Sequence, residues 1–291
     1  MKDGRMVILA GGISSRMKKP PAENLKVENK LIKDADEKTK SMIGVGKDYR
    51  PFLDYLLFNA RESGYYDIVI VIGENDNSIK EYYGTKDYDN DFYGLKISYA
   101  VQPIPAGRKK PFGTADALMR GLKSKTNWAG KKITVCNSDN LYSQKALRIV
   151  LNSEYPGILI DYNREALEFE YSRIERFAIT IKNKQGFLTD IIEKPTPEII
   201  DRVFKQDGYI GVSMNIFSLE YDLILPILET IEPNPERDEK ELPEAVKKLA
   251  NKITNSVFVH PLAEHVPDLT SKSDILNVKK YLEKHYSDFS F

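Results

Sequence analysis

Hydrophobic and polar positions follow two alternating patterns over the first 165 residues of this chain. The continuous apolar run at 68–72 predicts a strand that is covered on both faces, and the run at 6–10 predicts a buried strand. Further strands are expected at 95–101, 133–136 and 157–160. Apolar residues at helical spacing predict helices over 51–63 and 144–152, and another that Thr114 caps and that runs to about Lys123. This β-α-β-α-β order predicts a mostly parallel, doubly wound sheet with right-handed crossovers.

The pattern changes after about residue 170. Two strands over 177–181 and 187–192 flank a polar turn and predict a β-hairpin. Further strands are expected at 211–217 and 256–260, with helices near 219–230, 239–252 and 273–285. We therefore expect a single α/β domain over 1–291 with a mixed sheet, in which a half over about 5–165 is followed by a second half over about 166–291.

Composition narrows the class of protein further. The 291 residues are 41% hydrophobic and 30% charged, which is typical of a globular chain, and 43 basic residues balance 43 acidic ones. A net charge of zero argues against a nucleic-acid partner. No apolar run reaches about 18 residues, so we expect no membrane span. The N-terminal segment is too short for a signal peptide, and a single cysteine, Cys136, favours a cytoplasmic location.

A pair of glycines, Gly11 and Gly12, directly follows the first predicted strand. Glycines at this position let the backbone turn sharply and come close to a ligand, and successive N–H groups then form a nest for anions. Arg16 adds a fork of donors that suits phosphate oxygens. The alternative is an ordinary tight turn. Neither a Walker motif nor G-x-G-x-x-G is present.

The stretch 18–40 is rich in lysine and acidic residues and poor in apolar ones. Such a composition favours a solvated, mobile loop or a short exposed helix. Its position directly after Arg16 places it beside the predicted anion site.

The motif L-A-G-G-I-S-S-R-M over 9–17 resembles the opening of the sugar-phosphate nucleotidyltransferases, the NDP-sugar pyrophosphorylases. Further motifs match that family in its order along the chain: a lysine at 40, R-P-F-L-D-Y over 50–55, Q-P over 102–103, G-T-A-D-A-L over 113–118, N-S-D-N over 137–140, E-K-P over 193–195, G-V-S-M-N over 211–215 and V-P-D over 266–268.

This resemblance implies a Rossmann-like nucleotidyltransferase fold, related to the GT-A fold, and an enzyme that joins an NTP to a sugar 1-phosphate with Mg²⁺. The implied nucleotide-binding half is the first one. By resemblance the catalytic residues are Arg16, Lys40, Asp139 and Lys194. The implied nucleotide-binding residues are Leu9, Ala10, Gly11, Gly12, Ser14, Ser15, Gln102, Gly113 and Thr114. The implied sugar-binding residues are Asn140, Glu193, Lys194, Gly211 and Asn215, and the implied metal ligands are Asp139 and Asp268.

The residue types themselves suit that chemistry. Asp139 ends an apolar strand, so it is expected at the carboxyl edge of the sheet, where α/β proteins bind ligands. Mg²⁺ prefers one or two carboxylates together with phosphate oxygens, and Asp139 with Asp268 would meet that need. The alternative for Asp268 is a helix-entry turn. Gln102 carries an amide that can both donate to and accept from the edge of a base.

Several points stay open at this stage. Ser14 replaces the glycine that is more usual in the loop, and Arg50 stands where many members have lysine. The segment between Arg16 and Lys40 is longer than in many members. Four other lysines could therefore reach the phosphate in place of Lys40: Lys18, Lys19, Lys30 and Lys33. Uridine, thymidine and guanosine nucleotides all remain candidates, and a homo-oligomer is compatible with the sequence.

Two other functions compete with this interpretation. A GT-A glycosyltransferase would usually carry a D-x-D motif after a strand, but Asp139 is followed by Asn140 and Leu141. A non-catalytic nucleotide-sugar-binding protein of the same fold would be signalled by loss of Arg16, Asp139 or Lys194, and all three are present.

Overall fold

The computed structural model describes residues 3–20 and 27–291, in which strands and helices alternate along most of the chain. The strands are β1 (Gly4–Leu9), β2 (Tyr65–Gly73), β3 (Asn90–Phe92), β4 (Leu95–Gln102), β5 (Lys132–Asn137), β6 (Gly157–Asn163), β7 (Ile179–Lys182), β8 (Leu188–Ile192), β9 (Gly211–Glu220) and β10 (Val257–Leu262). The helices are α1 (Asn29–Glu37), α2 (Phe52–Ser63), α3 (Ser78–Tyr83), α4 (Thr114–Lys123), α5 (Gln144–Leu151), α6 (Tyr171–Ile174), α7 (Pro197–Asp207), α8 (Tyr221–Thr230), α9 (Leu242–Lys252) and α10 (Ile275–His285). No helix among these residues is both long and apolar enough to cross a bilayer.

The chain packs into two compact units, and both are discontinuous in sequence. Unit 1 consists of the described residues within 1–111, together with 137–147 and 267–291. Unit 2 consists of 112–136 and 148–266. The predicted halves are continuous, so the units follow a different division, and the single-domain organisation stays a prediction.

Unit 1 contains parallel strands in the order β1-β2-β4, with β3 antiparallel at the edge of β4. Residues 68–72 of β2 are buried throughout, as their continuous apolar run predicts. Helix α2 ends at Gly64, whose φ of 104° lies in the left-handed region that glycine adopts without strain. Because β1, β2 and β4 are parallel, their carboxyl ends lie at one edge.

Unit 2 is built around β9, which pairs antiparallel with β5, β6 and β7. Strand β10 joins β6 in parallel, and β7 forms the predicted hairpin with β8. The α/β class with a mixed sheet is therefore confirmed. In unit 2, however, antiparallel pairs outnumber parallel ones because β9 arrives late in the chain and lies between β5 and β6.

Some predicted details are wrong. Gly113, not Thr114, caps α4, and Thr114 is the first residue of the helix. Helices α3 and α7 were not expected. The signals for α7 were present, since Pro197 stands at its start and Gly208 ends it with a φ of 76°.

The charged stretch contains a short helix, which was one of the two expected alternatives, but this helix is not wholly exposed. Residues 21–26 lie outside the described part of the chain, but Asn29–Glu37 form α1, with Leu31 and Ala35 buried. The buried ammonium of Lys272 donates to the carbonyl of Lys19 and to the carboxylate of Asp36. Few apolar residues are thus enough to pack this helix, because a distant cation, Lys272, also holds the segment.

Candidate active site

The carboxyl edge of the parallel strands in unit 1 holds most of the predicted nucleotide-binding residues. The N–H of Ala10, just past β1, donates to the carbonyl of Val71 at 2.8 Å. Gly73 at the end of β2 is paired with Gln102 at the end of β4. Parallel pairing therefore brings the loop after β1 and the side chain of Gln102 to the same edge, as predicted.

The two glycines of this loop have different surroundings. A Cβ added to Gly11 would lie 3.0 Å from Oε1 of Gln102, so the bare backbone makes room for that amide. A Cβ added to Gly12 would meet nothing within 4 Å. Gly12 is exposed and leaves its backbone accessible to a ligand. Ser14 is buried with a φ of 54°, a left-handed conformation that is uncommon for a residue with a side chain.

The loop opens into a cavity of about 240 Å³ within unit 1. Its lining comes from the ends of all three parallel strands and from the segment after α1: Ala10, Gly11, Gly12, Ile13, Ser14, Lys18, Glu37, Lys38, Thr39, Gly73, Glu74, Asn75, Asp76, Gln102 and Ile104.

Two of these segments, 37–39 and 73–76, were not predicted as part of the site. The side chain of Asp76 joins them, because it accepts hydrogen bonds from the hydroxyls of Thr39 and Ser78. One signal could have found residues 73–76: a run of polar residues directly follows the buried strand β2 and therefore lies at the ligand-binding edge.

Lys40 and Asp139 form an ion pair, with Nζ of Lys40 2.6 Å from Oδ2 of Asp139. Both side chains are 17% exposed, so water screens this pair less than it screens a surface pair. The preceding residue, Ser138, donates its N–H to the carbonyl of Leu9 at 3.1 Å. Asp139 is thereby fixed next to the start of the glycine loop.

The alternative lysines have other surroundings. Lys30 lies over the ring of Tyr49 at 3.4 Å, and Nζ of Lys33 is 4.0 Å from Glu37. Lys18 lines the cavity and remains a second candidate for a phosphate contact.

The segments that carry Asp139 and Asp268 are paired. Asn140 and Asp268 form an antiparallel bridge, and the N–H of Leu269 donates to the carbonyl of Asp139 at 2.8 Å. The carboxylate of Asp268 accepts a hydrogen bond from the hydroxyl of Thr270 at 2.6 Å. The helical segment that follows is capped by Asp274, whose carboxylate forms a capping box with Ser271.

The donor set suits a magnesium ion that is shared with a substrate. Among the described residues there is no group of three or more His, Cys, Asp or Glu side chains that could hold a metal. Two carboxylates on paired segments leave most coordination positions to phosphate oxygens and water, as Mg²⁺ prefers. Asp139 already has a cation, the ammonium of Lys40, beside its carboxylate. The residues therefore fit a metal of this kind.

Arg16 is exposed, and its guanidinium forms no ion pair with any residue that the structure describes. In unit 2, Lys194 is likewise exposed and makes no ion pair within the described chain. Each keeps its donors available for an anion. Glu193 differs, because Arg237 binds its carboxylate through both terminal nitrogens and also reaches Glu241.

Gly211 has a packing role that the sequence did not reveal. A Cβ at this position would lie 1.8 Å from Oδ1 of Asp161, a buried carboxylate. Asp161 accepts hydrogen bonds from Thr180, from Tyr209 at 2.6 Å and from Lys182 at 3.0 Å. Burial lowers the pKa of Lys182, but the nearby Asp161 and Asp207 outweigh burial and raise the pKa above its ordinary value.

Gly113 and Thr114 also contact other parts of unit 2. A Cβ on Gly113 would lie 2.8 Å from the carbonyl oxygen of Lys240. The hydroxyl of Thr114 accepts the N–H of Leu242 at 2.9 Å. These contacts fix the start of α4 against the start of α9.

Asn215 lies at an irregular point of β9, where the pairing with β6 shifts register between Leu159 and Asp161. Its φ of 58° is left-handed, as are those of Ser14 and of Lys194, at 54° and 50°. Strained backbone of this kind persists where surrounding contacts enforce it, and it concentrates at functional sites.

Comparison with known proteins identifies the family. The sequence model of the nucleotidyl transferase family matches residues 35–285, and the chain belongs to that family. The match begins after the glycine loop, so the loop resembles the family only through its short sequence motif.

Two curated relatives are glucose-1-phosphate adenylyltransferases. The one from Thermosipho africanus is 22% identical over 282 residues, which cover 92% of this chain and 59% of the relative. The one from Thermomicrobium roseum is 23% identical over 200 residues, 67% of this chain and 42% of the relative. The chain thus spans about half the length of these relatives.

Solved structures share the fold across almost the whole chain. A UDP-glucose pyrophosphorylase from Acinetobacter baumannii superimposes with a TM-score of 0.67 at 16% identity, covering 97% of this chain and 94% of the other. A putative glucose-1-phosphate thymidylyltransferase from Bacillus anthracis gives a TM-score of 0.66 at 17% identity, covering 99% and 97%. The predicted nucleotidyltransferase fold is confirmed.

Proposed function

We propose that this chain is a sugar-1-phosphate nucleotidyltransferase, which condenses an NTP with a sugar 1-phosphate to give an NDP-sugar and pyrophosphate. One observation carries the proposal. The glycine loop, Gln102 and the Lys40–Asp139 pair meet at the carboxyl edge of the parallel strands in unit 1. Membership of the nucleotidyl transferase family supports it.

The reaction needs little covalent chemistry from the protein. A phosphate oxygen of the sugar 1-phosphate attacks the α-phosphorus of the NTP, and pyrophosphate leaves in line. The nucleophile is already an anion, so no general base is required. The protein must hold two anions together and offset their charge. Arg16 and Lys40 in unit 1 and Lys194 in unit 2 are cations suited to that task.

Asp139 and Asp268 would hold Mg²⁺, which supplies positive charge to the reacting phosphates. In the protein without substrate, Lys40 binds the carboxylate of Asp139. When phosphates arrive, we expect Lys40 to turn toward them and free that carboxylate.

The nucleoside end of the NTP is assigned to unit 1. The backbone of 9–15 would bind phosphate and ribose, and Gln102 would bind the base in the adjoining cavity of about 240 Å³. The relatives and neighbours are named as adenylyl-, uridylyl- and thymidylyl-type enzymes, so the base is left to experiment. Gly113 and Thr114 are retained in the proposal by resemblance.

The sugar end is assigned by resemblance to Asn140 in unit 1 and to Glu193, Lys194, Gly211 and Asn215 in unit 2. We assign different roles within this set. Lys194 would bind the phosphate and Asn215 a sugar hydroxyl. Gly211 would contribute through its backbone only, because Asp161 occupies the space of a side chain. A cytoplasmic enzyme without a nucleic-acid partner completes the proposal.

A pyrophosphate-release screen tests the proposed function. Each common NTP is incubated with a panel of sugar 1-phosphates, with Mg²⁺ or with EDTA. We expect release with at least one pair, and none with EDTA. If nucleotide binds but no pair releases pyrophosphate, the chain is a non-catalytic binding protein of the same fold. If an NDP-sugar is consumed to glycosylate an acceptor, it is a glycosyltransferase.

A further inference from the structure

The end of β6 carries two buried hydrogen-bond donors that have no partner among the described residues. The hydroxyl of Tyr162 is completely buried. Nε of Arg164 is also buried, and Arg164 as a whole is only 8% exposed. Buried polar atoms without partners are rare in folded proteins, because each costs the hydration it has lost. Two of them, two residues apart on one strand end, call for an explanation.

Arg164 is poorly compensated for a buried cation. Of the five N–H groups of its guanidinium, one has a hydrogen bond to a residue in the described part of the chain, from Nη2 to the hydroxyl of Tyr171 at 3.3 Å. The carboxylate of Glu165 lies 3.8 Å from Nε, beyond hydrogen-bond distance, on a side chain that is 78% exposed. A buried charge normally requires a close counter-ion.

The backbone around Arg164 is held in place. Its N–H donates to the carbonyl of Ile210 at 2.9 Å, and Asn163 accepts the N–H of Glu165 at 3.0 Å. The lack of partners therefore does not come from a loose segment. The ring of Tyr171, which is 60% exposed, lies 5.5 Å from the guanidinium.

Both orphaned atoms are donors. Burial, together with the nearby Glu264 and Cys136, raises the pKa of Tyr162 well above its ordinary value, so its hydroxyl keeps the proton. A guanidinium has no acceptor at all. A ligand that satisfies both must present acceptor oxygens, and the positive charge of Arg164 selects an anion.

We propose that Tyr162 and Arg164 form a binding site for an anionic oxygen group, a carboxylate or a phosphate. Asn163, between them, is paired with Gly211, which belongs to the proposed sugar site. If the proposed function holds, on which this inference rests, the anionic group is a charged substituent on the sugar of the sugar 1-phosphate. A free anion that is not part of the substrate would bind the same two residues through the same acceptor oxygens.

Melting temperatures without and with anions test the site. Tyr162→Phe removes an unsatisfied hydroxyl and keeps the ring, so without anion it should melt at or above the temperature of the wild type. Tyr221→Phe is the matched control, because the buried hydroxyl of Tyr221 donates to the carbonyl of Leu122 at 3.2 Å, and its loss should lower the melting temperature. If Tyr162→Phe is destabilised like the control, the hydroxyl has a partner and the proposal fails.

Inorganic phosphate and glucuronate are the probes, with glucose as the neutral comparison. We expect at least one anion to stabilise the wild type with an apparent Kd at least tenfold lower than in Tyr162→Phe or Arg164→Met. Arg120→Met is the control for loss of an arginine, since Arg120 pairs with Asp116 elsewhere in unit 2. Equal stabilisation of the wild type and both site variants would overturn the proposal, because the anions would then bind elsewhere.

Turnover distinguishes the two sources of the anion. If the group is a sugar substituent, Arg164→Met raises KM for both substrates unequally. The fold increase in KM for glucuronic acid 1-phosphate is at least ten times the fold increase in KM for glucose 1-phosphate. If the anion is separate, the two KM values change alike, and the wild type alone responds to added phosphate or glucuronate. If no sugar 1-phosphate is turned over, the proposed function fails, while the melting experiment still decides the anion site.

Discussion

Two glycines show how the units differ. Gly12 in unit 1 faces open space beside the cavity, whereas Gly211 in unit 2 faces the buried carboxylate of Asp161. Both belong to motifs that match the family. The first glycine leaves backbone accessible to a ligand, and the second makes room for a neighbouring side chain. A glycine in a family motif can therefore serve packing, as Gly211 does, or leave its backbone open, as Gly12 does.

The ion pairs show the same contrast. Lys40 and Asp139 are both predicted catalytic residues, and they contact each other in a partly buried site. Glu193 is bound instead by Arg237, a residue that no motif singles out, in a more exposed pair. Unit 1 thus pairs two of its predicted charged residues with each other, while in unit 2 the predicted residue Glu193 is engaged in a surface ion pair, a type of contact that contributes little to stability.

The largest effect is expected from Asp139→Asn. Loss of this carboxylate removes the proposed metal ligand, so kcat should fall about 10³-fold or more. The melting temperature should change little, which separates loss of activity from loss of fold. Glu193→Gln is the matched variant in unit 2, and we expect less than a tenfold loss. Near-normal turnover in Asp139→Asn would remove the metal role.

The next effect separates the two phosphates. Arg16→Ala and Lys194→Ala each remove a charged donor, which should cost about 2–4 kcal/mol, or roughly 30- to 1000-fold in kcat/KM. Arg16→Ala should raise KM for the NTP more than KM for the sugar 1-phosphate, and Lys194→Ala the reverse. The ratio of the two KM changes is the measured quantity. If Lys194→Ala raises only KM for the NTP, the assignment of the two units is reversed.

Alanine at the two glycines tests the contrast directly. Gly211→Ala should lower the free energy of unfolding by about 2–3 kcal/mol, because its Cβ would overlap Asp161. Gly12→Ala should leave the free energy of unfolding within about 0.5 kcal/mol and raise KM for the NTP. Urea unfolding followed by circular dichroism measures the first quantity. A stable Gly211→Ala would show that β6 and β9 can separate at no cost.

The smallest effect concerns alkaline pH. The folded state raises the pKa of Lys182, so the folded protein holds this proton more tightly than the unfolded chain. The stabilisation is fully present below the unfolded pKa of about 10.4, and it is lost as the pH rises above that value, by up to about 1.4 kcal/mol per pH unit. Melting temperatures from pH 8 to 11.5 should therefore fall more steeply in the wild type than in Lys182→Met. If the melting temperatures of the wild type and of Lys182→Met fall in parallel with pH, Lys182 is not the source of the pH dependence.

Sequence periodicity predicted the elements whose burial is uniform. Strands β1, β2 and β6 contain continuous apolar runs, and α2 ends at a glycine that marks its boundary. Short elements escaped prediction because their stability comes from contacts elsewhere in the chain. Helix α3, for example, begins where Asp76 accepts the N–H of Ser78, and the same carboxylate is bound by Thr39.

The candidate site was predictable to the extent that strand ends determine it. Gln102 ends β4, and Asp139 lies two residues past the end of β5, so both follow the rule that α/β proteins bind ligands where strands end. The partner of Glu193 was not predictable, since Arg237 lies 44 residues further along the chain. The unpaired donors of Tyr162 and Arg164 could not be predicted either, because only coordinates reveal a missing partner.

Lys272 makes two distant parts of the chain depend on each other. Its buried ammonium donates to the carbonyl of Lys19 and to the carboxylate of Asp36, which lie near the beginning and near the end of the charged stretch 18–40. A homologue that shortened this stretch would leave a buried cation without an anion, at a cost of about 3–5 kcal/mol. Loss of the insertion and replacement of the lysine by an apolar residue should therefore occur together in evolution, and an engineer who trims the loop must change both.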